Sequence, residues 1–212
     1  MKHSNDYHDY VFKDGKIVGK FEEMYRYSQE IPWHQDKILE TWHGRIGINF
    51  IEAAFEEGEI KTVLSTGCGY GNMLSKIKRQ KVQFSGFDIS ETAIKKTWKR
   101  HPEFTFFVDD LIKPKHAKKY DLVICRENLW YVIYSLDAVI ENLKQFMVEG
   151  GYLYIGLSFP ALGEPFVGKK ILPGPKTLLT KLEKEFDSVA VDILYKIQSN
   201  DGPDFHWLGC KK

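Results

Sequence analysis

The stretch Thr62–Asn72, TVLSTGCGYGN, decides the fold of this chain of 212 residues. A short run of β-forming residues stops at Thr66, and glycines follow at alternate positions, Gly67, Gly69 and Gly71. Glycine permits positive φ angles and has no Cβ atom, so a backbone can come close to a ligand there. The pattern predicts a strand followed by a ligand-binding turn, with an ordinary tight turn as the alternative.

Strands and helices are predicted to alternate on both sides of this turn. Apolar β-runs, among them residues 82–88, 120–125 and 151–158, are separated by amphipathic helical segments. This alternation is typical of an α/β fold, a doubly wound, mostly parallel seven-stranded sheet with helices on both faces. The last two β-runs, residues 189–197 and 205–210, have no helix between them, which predicts an antiparallel C-terminal edge hairpin.

Composition excludes several classes of partner and location. The net charge of +1 gives no overall attraction to nucleic acid or to an anionic membrane. Three basic clusters, residues 76–81, 95–100 and 113–119, are interpreted mainly as solvated helix surface, so a nucleic-acid partner is not expected. No apolar run reaches about 18 residues, so no membrane span is expected. The N-terminus lacks the apolar core of a signal peptide, and three scattered cysteines favour the cytoplasm, without disulfides or a metal site.

The spacing of the glycines discriminates among nucleotide ligands. A dinucleotide fingerprint would need a glycine at Asn72, and a phosphate-binding loop would need a lysine before Lys76. Asp88 ends the next β-run, where a carboxylate can accept hydrogen bonds from both hydroxyls of a ribose. The alternative is an acid at the N-terminus of the following helix, which Ser90 is predicted to cap.

Acidic residues also follow the next two β-runs, at Asp110 and Glu127. Because the carboxyl ends of parallel strands meet at one edge of a sheet, these side chains are expected to converge with Gly67 and Asp88 on one cleft. Asp109 is adjacent to Asp110, so the assignment can shift by one residue. Both acids can also be simple turn caps.

Five segments, VLSTGCGYG, FSGFDIS, FFVDDL, YDLVICRENLWYV and EGGYLYIGLS, resemble the successive motifs of class I S-adenosylmethionine-dependent methyltransferases. The form is most similar to small-molecule members such as the nodulation N-methyltransferase group. The resemblance covers residues 37–212, expected to be a Rossmann-like methyltransferase domain preceded by an arm and lid at residues 1–36. It implies transfer of a methyl group from S-adenosylmethionine to an O or N atom of a small molecule, for example a sugar or amine, leaving S-adenosylhomocysteine. A silent cofactor-binding module and an RNA or protein methyltransferase are the alternatives.

The resemblance also implies roles for individual residues. The glycine loop, with Cys68, would pass under the methionine part of the cofactor, and Asp88 would hold the ribose. Ile89 would pack on the adenine, with Asp110 on its amino group and Leu111 beside the ring. Arg126 and Glu127 belong to the segment that lines the methyl-donor pocket. Ser65 departs from the family, which usually has Asp or Glu there, so weaker cofactor affinity or compensation by Glu127 is expected.

The N-terminal segment is rich in aromatic residues, including Tyr25 and Trp33. Ring faces favour a cation such as a sulfonium, so this segment is predicted to cover the cofactor, with a loosely attached satellite core as the alternative. Arg45 is expected either to bind the methionine carboxylate or to lie on the helix surface. Residues predicted for catalysis and the acceptor are His34 as a base, with His43 as a second candidate, and Tyr131, Tyr134, Phe159 and Phe166 for the acceptor. His206 is expected to be structural, and a mechanism without a dedicated base is equally open.

Overall fold

The computed structural model describes residues 3–13, 15–161, 163–195 and 201–212. Its helices are α1 His8–Val11, α2 Phe21–Tyr27, α3 Trp42–Glu57, α4 Asn72–Lys76, α5 Glu91–Arg100, α6 Leu136–Gln145 and α7 Pro175–Glu185. Its strands are β1 Phe12–Lys13, β2 Lys16–Ile17, β3 Thr62–Thr66, β4 Gln83–Asp88, β5 Thr105–Val108, β6 Tyr120–Arg126, β7 Met147–Ser158, β8 Phe186–Leu194 and β9 Asp204–Lys211. Short 3-10 turns lie at Pro32–His34, Ile38–Glu40 and Leu129–Ser135.

The central sheet has seven strands in the order β5-β4-β3-β6-β7-β9-β8. Strands β3 to β7 pair in parallel, and β9 pairs antiparallel with both β7 and β8. The predicted fold class is therefore confirmed, including the antiparallel C-terminal hairpin. The chain leaves β3 towards β4 on one side and later returns to β6 on the other, so the ends of β3 and β6 border the topological switch point.

Two apolar layers cover the sheet, one on each face. Leu64, Phe87 and Val123 belong to a buried cluster with helices α6 and α7, whereas Val63 and Ile124 face the opposite cluster with α3, α4 and α5. Neighbouring residues of one strand thus point into different layers, as the period of two requires. The largest helices therefore bury one face each and leave the edge formed by the carboxyl ends of the strands open to the arm.

Helix α3 begins at Trp42. The Thr41 side chain accepts a hydrogen bond from the Gly44 amide at 3.1 Å, which fixes the helix start. Gly47 lies directly against the Tyr154 side chain, so the absence of a Cβ lets the helix approach the sheet.

The N-terminal arm is packed against the domain. Met24 and Tyr25 of α2 are buried in an aromatic cluster that includes Tyr70 and Ala93 of the domain. Strands β1 and β2 of the arm pair antiparallel, and Asp14 between them lies outside the described residues. The division of the chain at residue 36 stays a prediction. Among the helices that the structure describes, none combines the length and apolar character needed to cross a membrane.

The glycine turn after β3 uses the left-handed region of φ. The φ angles are 53° at Gly67, 52° at Gly69 and 73° at Gly71. A Cβ atom added at Gly71 would lie 2.9 Å from Thr97 Cγ2 and 3.1 Å from Phe106 Cζ, so the turn also packs tightly against α5 and β5. Both the backbone conformation and the close packing therefore require glycine there.

Replacing Gly71 by alanine tests this packing, and Gly150 supplies a matched control. Gly150 has a φ of 69° but nothing within 4 Å of an added Cβ, so Gly150→Ala shares the backbone strain without the collision. We expect Gly71→Ala to lower the free energy of unfolding by about 1–3 kcal/mol more than Gly150→Ala, as overpacking typically does. Urea denaturation measures both values. Equal losses would show that only the φ angle matters.

Candidate active site

A cavity of about 520 Å³ opens at the carboxyl ends of β3, β4 and β6 and is covered by the arm. The sequence-predicted residues that line it are Tyr25, Trp33, His34, Gly67, Cys68, Asp88, Ile89, Asp110, Leu111, Arg126, Glu127 and Tyr131. Ser65 also lines it. One partly open cavity thus joins the glycine turn, the acids at the strand ends and the aromatic arm.

Asp88 is held in the cavity by backbone amides on both sides of its carboxylate. Its Oδ2 accepts a hydrogen bond from the Gly69 amide at 3.1 Å and its Oδ1 accepts one from the Ser90 amide at 3.0 Å. Burial raises the pKa of Asp88 to about 6, and the nearby charge of Glu22 adds to this, whereas the backbone N–H groups of Ser90, Gly69 and Ile89 act in the opposite direction. The cavity therefore holds a carboxyl group that titrates close to neutral pH.

Ser90, and not Asp88, caps helix α5. The Ser90 hydroxyl accepts a hydrogen bond from the Ala93 amide at 3.0 Å, as predicted. Gly69 does not line the cavity, but its amide holds the Asp88 carboxylate in position. Gly71 packs under the turn and begins α4. Asp88 is thus left with its carboxylate facing the cavity.

The two adjacent acids after β5 have different surroundings. Asp109 accepts hydrogen bonds from the backbone amides of Asp110, Lys115 and His116, at 2.9, 3.0 and 3.0 Å, so it holds the following loop in place. Asp110 accepts one such bond, from the Ile112 amide at 2.8 Å. Both line the cavity, but Asp110 keeps more of its hydrogen-bonding capacity for a ligand.

A buried network of ionisable residues contacts Glu127 on the side that faces away from the cavity. His43 Nε2 lies 2.6 Å from Glu127 Oε1, which also accepts a hydrogen bond from the Ser158 amide at 2.9 Å. Burial alone would raise the pKa of Glu127, but His43, Arg126 and the Ser158 amide outweigh it and hold this pKa below its ordinary value. Glu127 is therefore ionised at neutral pH. Its φ of 57° is unusual for a residue other than glycine.

The network continues away from the cavity through His43. Its Nδ1 lies 3.6 Å from Asp204 Oδ1, and its ring packs on His206 with centroids 4.5 Å apart. His206 Nδ1 is 2.9 Å from the Tyr154 hydroxyl, and burial together with the charge of His43 lowers the pKa of His206 to about 4. His206 thus lies in the interior, as expected. His43, at 5% exposure, does not line the cavity and contacts Glu127 instead, so it does not face an acceptor directly.

The arm is attached to the glycine turn by Gln35. Its Oε1 accepts a hydrogen bond from the Tyr70 amide at 2.9 Å, and its Nε2 donates to the Tyr25 hydroxyl at 3.0 Å. The Asn72 side chain donates to the Gln35 carbonyl at 2.6 Å. Sequence reasoning missed Gln35 because a single glutamine in an irregular segment carries no pattern. It also missed Asn128, whose side chain lies against Gly67 and donates to the Thr66 carbonyl.

Aromatic rings form the cover of the cavity. Trp33 lies 5.4 Å from Tyr131 between ring centroids, and Phe21 lies 5.4 Å from Tyr131. Trp33 and His34 have φ angles of 53° and 47°, so two consecutive residues other than glycine adopt the left-handed conformation at this point. His34 is exposed at the rim of the cavity.

Several predicted site residues lie elsewhere. Arg45 stacks on Trp42, with its guanidinium carbon 5.5 Å from the ring centroid, so the structure does not bring it to the cavity. Tyr134 is 71% exposed and outside the lining. Phe159 and Phe166 both pack edge-on against Trp130, each with centroids 5.2 Å apart, because apolar burial is available there. These side chains lie outside the cavity lining, so their roles at the site stay predictions. No cluster of three or more metal-binding side chains occurs in the part of the chain that the structure describes.

The fold is a doubly wound α/β sheet with a cavity at its topological switch point. A family model described as a methyltransferase domain matches residues 40–166, more than half of the chain. The chain belongs to this methyltransferase family, which confirms the class I resemblance and S-adenosylmethionine as the cofactor class. No curated protein matches the sequence.

Solved structures share the fold at low sequence identity. The N-methyltransferase NodS from Bradyrhizobium japonicum WM9, in complex with S-adenosyl-L-homocysteine, is 19% identical, with a TM-score of 0.69 over 86% of this chain and 93% of that chain. The [4+2]-cyclase SpnF is 14% identical, with a TM-score of 0.65 over 79% and 80%. Magnesium protoporphyrin IX methyltransferase from Synechocystis PCC 6803, with bound SAM, is 16% identical, with a TM-score of 0.57 over 97% and 90%. At these identities the likeness shows the fold alone, and the cyclase illustrates that one fold hosts different reactions.

A second polar contact joins the arm to the cofactor edge of the sheet. Glu22 of α2 accepts hydrogen bonds from the Ser90 hydroxyl at 2.7 Å and from the Thr92 amide and hydroxyl at 3.0 and 2.6 Å, at the N-terminus of α5. Those hydrogen bonds, together with one from Arg26, lower the pKa of Glu22 to about 2 against the opposing effect of burial. Glu22 therefore holds the arm beside Asp88.

We expect Glu22→Ala to loosen the arm. Loss of these hydrogen bonds should raise amide exchange of residues 21–27 about tenfold or more, whereas exchange in β3 and β6 stays unchanged. The control is Glu23→Ala, because Glu23 is paired at the surface with Lys20, at 3.5 Å, and with no other cation among the described residues. Hydrogen exchange with mass spectrometry measures both variants. Equal exchange in the two would mean that apolar packing alone holds the arm.

Proposed function

We propose that this protein transfers the methyl group of S-adenosylmethionine to an O or N atom of a small molecule. The observation that carries the proposal is the single cavity that joins the glycine turn, Asp88, Asp110 and the aromatic cover. A cavity that the packed arm partly covers suits a small acceptor better than a protein or a nucleic acid, which would need an open docking surface. The similarity to an N-methyltransferase agrees with an acceptor nitrogen.

The order of the strands supports one direction for the cofactor. Asp110 and Leu111 follow β5 and would hold the adenine, with Ile89 on its face. Asp88 follows β4 and would accept the ribose hydroxyls. Gly67 and Cys68 follow β3 and would lie under the methionine part. The cofactor would therefore run along the strand ends from β5 to β6.

The charge of Glu127 supports the expectation that this residue compensates for the uncharged Ser65. Ser65 lines the cavity but brings no charge, whereas the ionised Glu127 on the neighbouring strand faces the same space. We assign Glu127 to the ammonium group of the methionine part. The His43 contact and the Ser158 amide keep its carboxylate in one position, which lowers the entropy lost on binding.

The chemistry needs alignment more than proton transfer. The cofactor supplies a methyl group on a sulfonium and a neutral thioether as the leaving group. The chain would hold the acceptor in line with the methyl–sulfur bond, and such positioning contributes up to about 7–11 kcal/mol. Trp33 and Tyr131 would place ring faces around the cationic centre. His34 has no hydrogen bond to its side chain among the described residues, so its role as a base stays a prediction.

Cofactor binding by the Asp88 edge is the first test. Calorimetric titration with S-adenosylhomocysteine should give binding to the wild type, and Asp88→Ala should weaken it by about 1–3 kcal/mol, because two ribose hydroxyls lose a charged acceptor. Asp187→Ala on the edge strand β8 is the control and should bind as the wild type does. Binding that is absent in the wild type, or unchanged in Asp88→Ala, would remove the proposal. Binding without methyl transfer to any acceptor would favour the silent module.

The affinity should also depend on pH through Asp88. Ribose hydroxyls bind best to the ionised carboxylate, and the pKa of Asp88 in the free protein is about 6. Affinity is therefore expected to be highest above pH 6 and to fall by at most about tenfold per pH unit below it, because protons then compete with the cofactor. Asp88→Asn should remove this dependence. A wild-type affinity that is constant between pH 5 and 8 would contradict the role of Asp88, and titrations in buffers of different ionisation enthalpy would show the proton release directly.

A further inference from the structure

Three tyrosines line the cavity, and their hydroxyl groups have different surroundings. The Tyr25 hydroxyl accepts a hydrogen bond from Gln35 Nε2 at 3.0 Å. The Tyr7 hydroxyl is hydrogen-bonded to the Trp33 backbone. The Tyr131 hydroxyl has no hydrogen-bond partner among the residues that the structure describes, and it is not one of the side-chain polar atoms that the protein shields completely. Tyr131 therefore brings an accessible and unused hydroxyl into the cavity.

Tyr131 lies between the end of β6 and the arm. Its amide donates a hydrogen bond to the Asn128 carbonyl at 3.1 Å, in the turn that directly follows Glu127. On the other side its ring packs against Phe21 and Trp33, with centroids 5.4 Å away in both cases. The hydroxyl is therefore at the end of the cavity where methyl transfer would occur, and not at the adenine end.

The Tyr131 hydroxyl is a neutral phenol near pH 7. Burial raises the pKa of Tyr131 well above its ordinary value, and the charge of Glu127 adds to this. A neutral phenol can donate and accept hydrogen bonds, but it does not remove a proton. Glu127 has a lowered pKa, so it is a weak base. This end of the cavity thus suits an acceptor that needs orientation and not deprotonation.

Amines and alcohols differ in this requirement. A neutral amine attacks through its lone pair while it keeps its N–H protons, whereas an alcohol oxygen is a weak nucleophile until a base takes its proton. The amine nitrogen would form a bond to the methyl carbon while the methyl–sulfur bond breaks, and the electron pair of that bond would stay on the neutral thioether. The positive charge would pass to nitrogen, and the methylated ammonium would later lose a proton to water. The surrounding ring faces favour such a cationic product.

We propose that the acceptor is a primary or secondary amine and that Tyr131 Oη accepts a hydrogen bond from its N–H group. This hydrogen bond directs the nitrogen lone pair towards the methyl group, which is the alignment that transfer requires. The inference rests on the proposed function and narrows its acceptor to nitrogen.

Sinefungin tests the hydrogen bond without turnover. It has the adenine, ribose and amino-acid tail of S-adenosylhomocysteine, but a carbon replaces the sulfur and carries an amino group at the position of the transferred methyl. This amino group enters the space in front of Tyr131. We expect Tyr131→Phe to weaken sinefungin about tenfold or more, the cost of losing one hydrogen bond from a charged donor, and to leave S-adenosylhomocysteine unchanged in calorimetric titrations.

Tyr134→Phe is the matched control, because it removes the same hydroxyl from a side chain that is 71% exposed and outside the cavity lining. It should bind both ligands as the wild type does. An unchanged affinity of Tyr131→Phe for sinefungin would overturn the proposal, and so would an equal loss for both ligands, which would indicate a structural role of the hydroxyl. A wild type that binds neither ligand would instead reject the proposed function itself.

Transfer of a labelled methyl group tests the class of acceptor. The wild type is incubated with methyl-labelled S-adenosylmethionine and a panel of small primary and secondary amines, together with alcohols of the same carbon skeletons. We expect label on amines only, and Tyr131→Phe should lower kcat about tenfold or more with the KM for S-adenosylmethionine unchanged. Label on any alcohol, or on none of the amines, would overturn the assignment.

Discussion

The hydrogen bond from the Gly69 amide to Asp88 is the contact on which the site depends. It ties the left-handed turn after β3 to the end of β4, at 3.1 Å. The Thr97 hydroxyl donates to the Gly69 carbonyl at 2.5 Å, so both peptide units that flank the Gly69 Cα are fixed, one to β4 and one to α5. A turn held on both sides cannot move away from the strand ends. Gly67 and Asp88 therefore face one cavity before any ligand is present, which is the preorganisation that binding and alignment need.

Polar contacts attach the arm directly to the glycine turn and to the neighbouring start of α5. Gln35 contacts the backbone of Tyr70 and the side chain of Asn72, and Glu22 contacts the start of α5 next to Asp88. Each contact joins the cover of the cavity to a segment that forms its floor. Movement of the arm would therefore break polar contacts next to the proposed ribose position. Because Asp88 lies at that position, closure of the cavity is linked to the charge of Asp88.

The sequence predicted the sheet and the positions of Gly67, Asp88, Asp110 and Glu127, because strand ends converge whatever the side chains are. It could not predict contacts made between distant segments. The contact between His43 and Glu127 joins the first turn of α3 to the end of β6 and has no local signal. The same limit explains why some predicted site residues lie away from the cavity. The type of a residue suggests a role but does not give its location. The aromatic ring of Phe159 suggested an acceptor pocket, yet burial against Trp130 was available. The charge of Arg45 suggested a carboxylate site, yet the Trp42 ring was nearer.

The buried polar groups are unevenly distributed between the two faces of the sheet. The cluster around α6 and α7 is formed by apolar residues, whereas His43 contacts both Glu127 and His206 where β6 and β9 meet the start of α3. Such a group is costly, because each charge loses hydration, and packed hydrophobic residues of the same volume would often be more stable. Local rules are commonly broken where function requires it. His206 is neutral near pH 7, so it adds no buried charge, whereas Glu127 is ionised. The charge that this group retains therefore lies beside the cavity, where a ligand can pair with it.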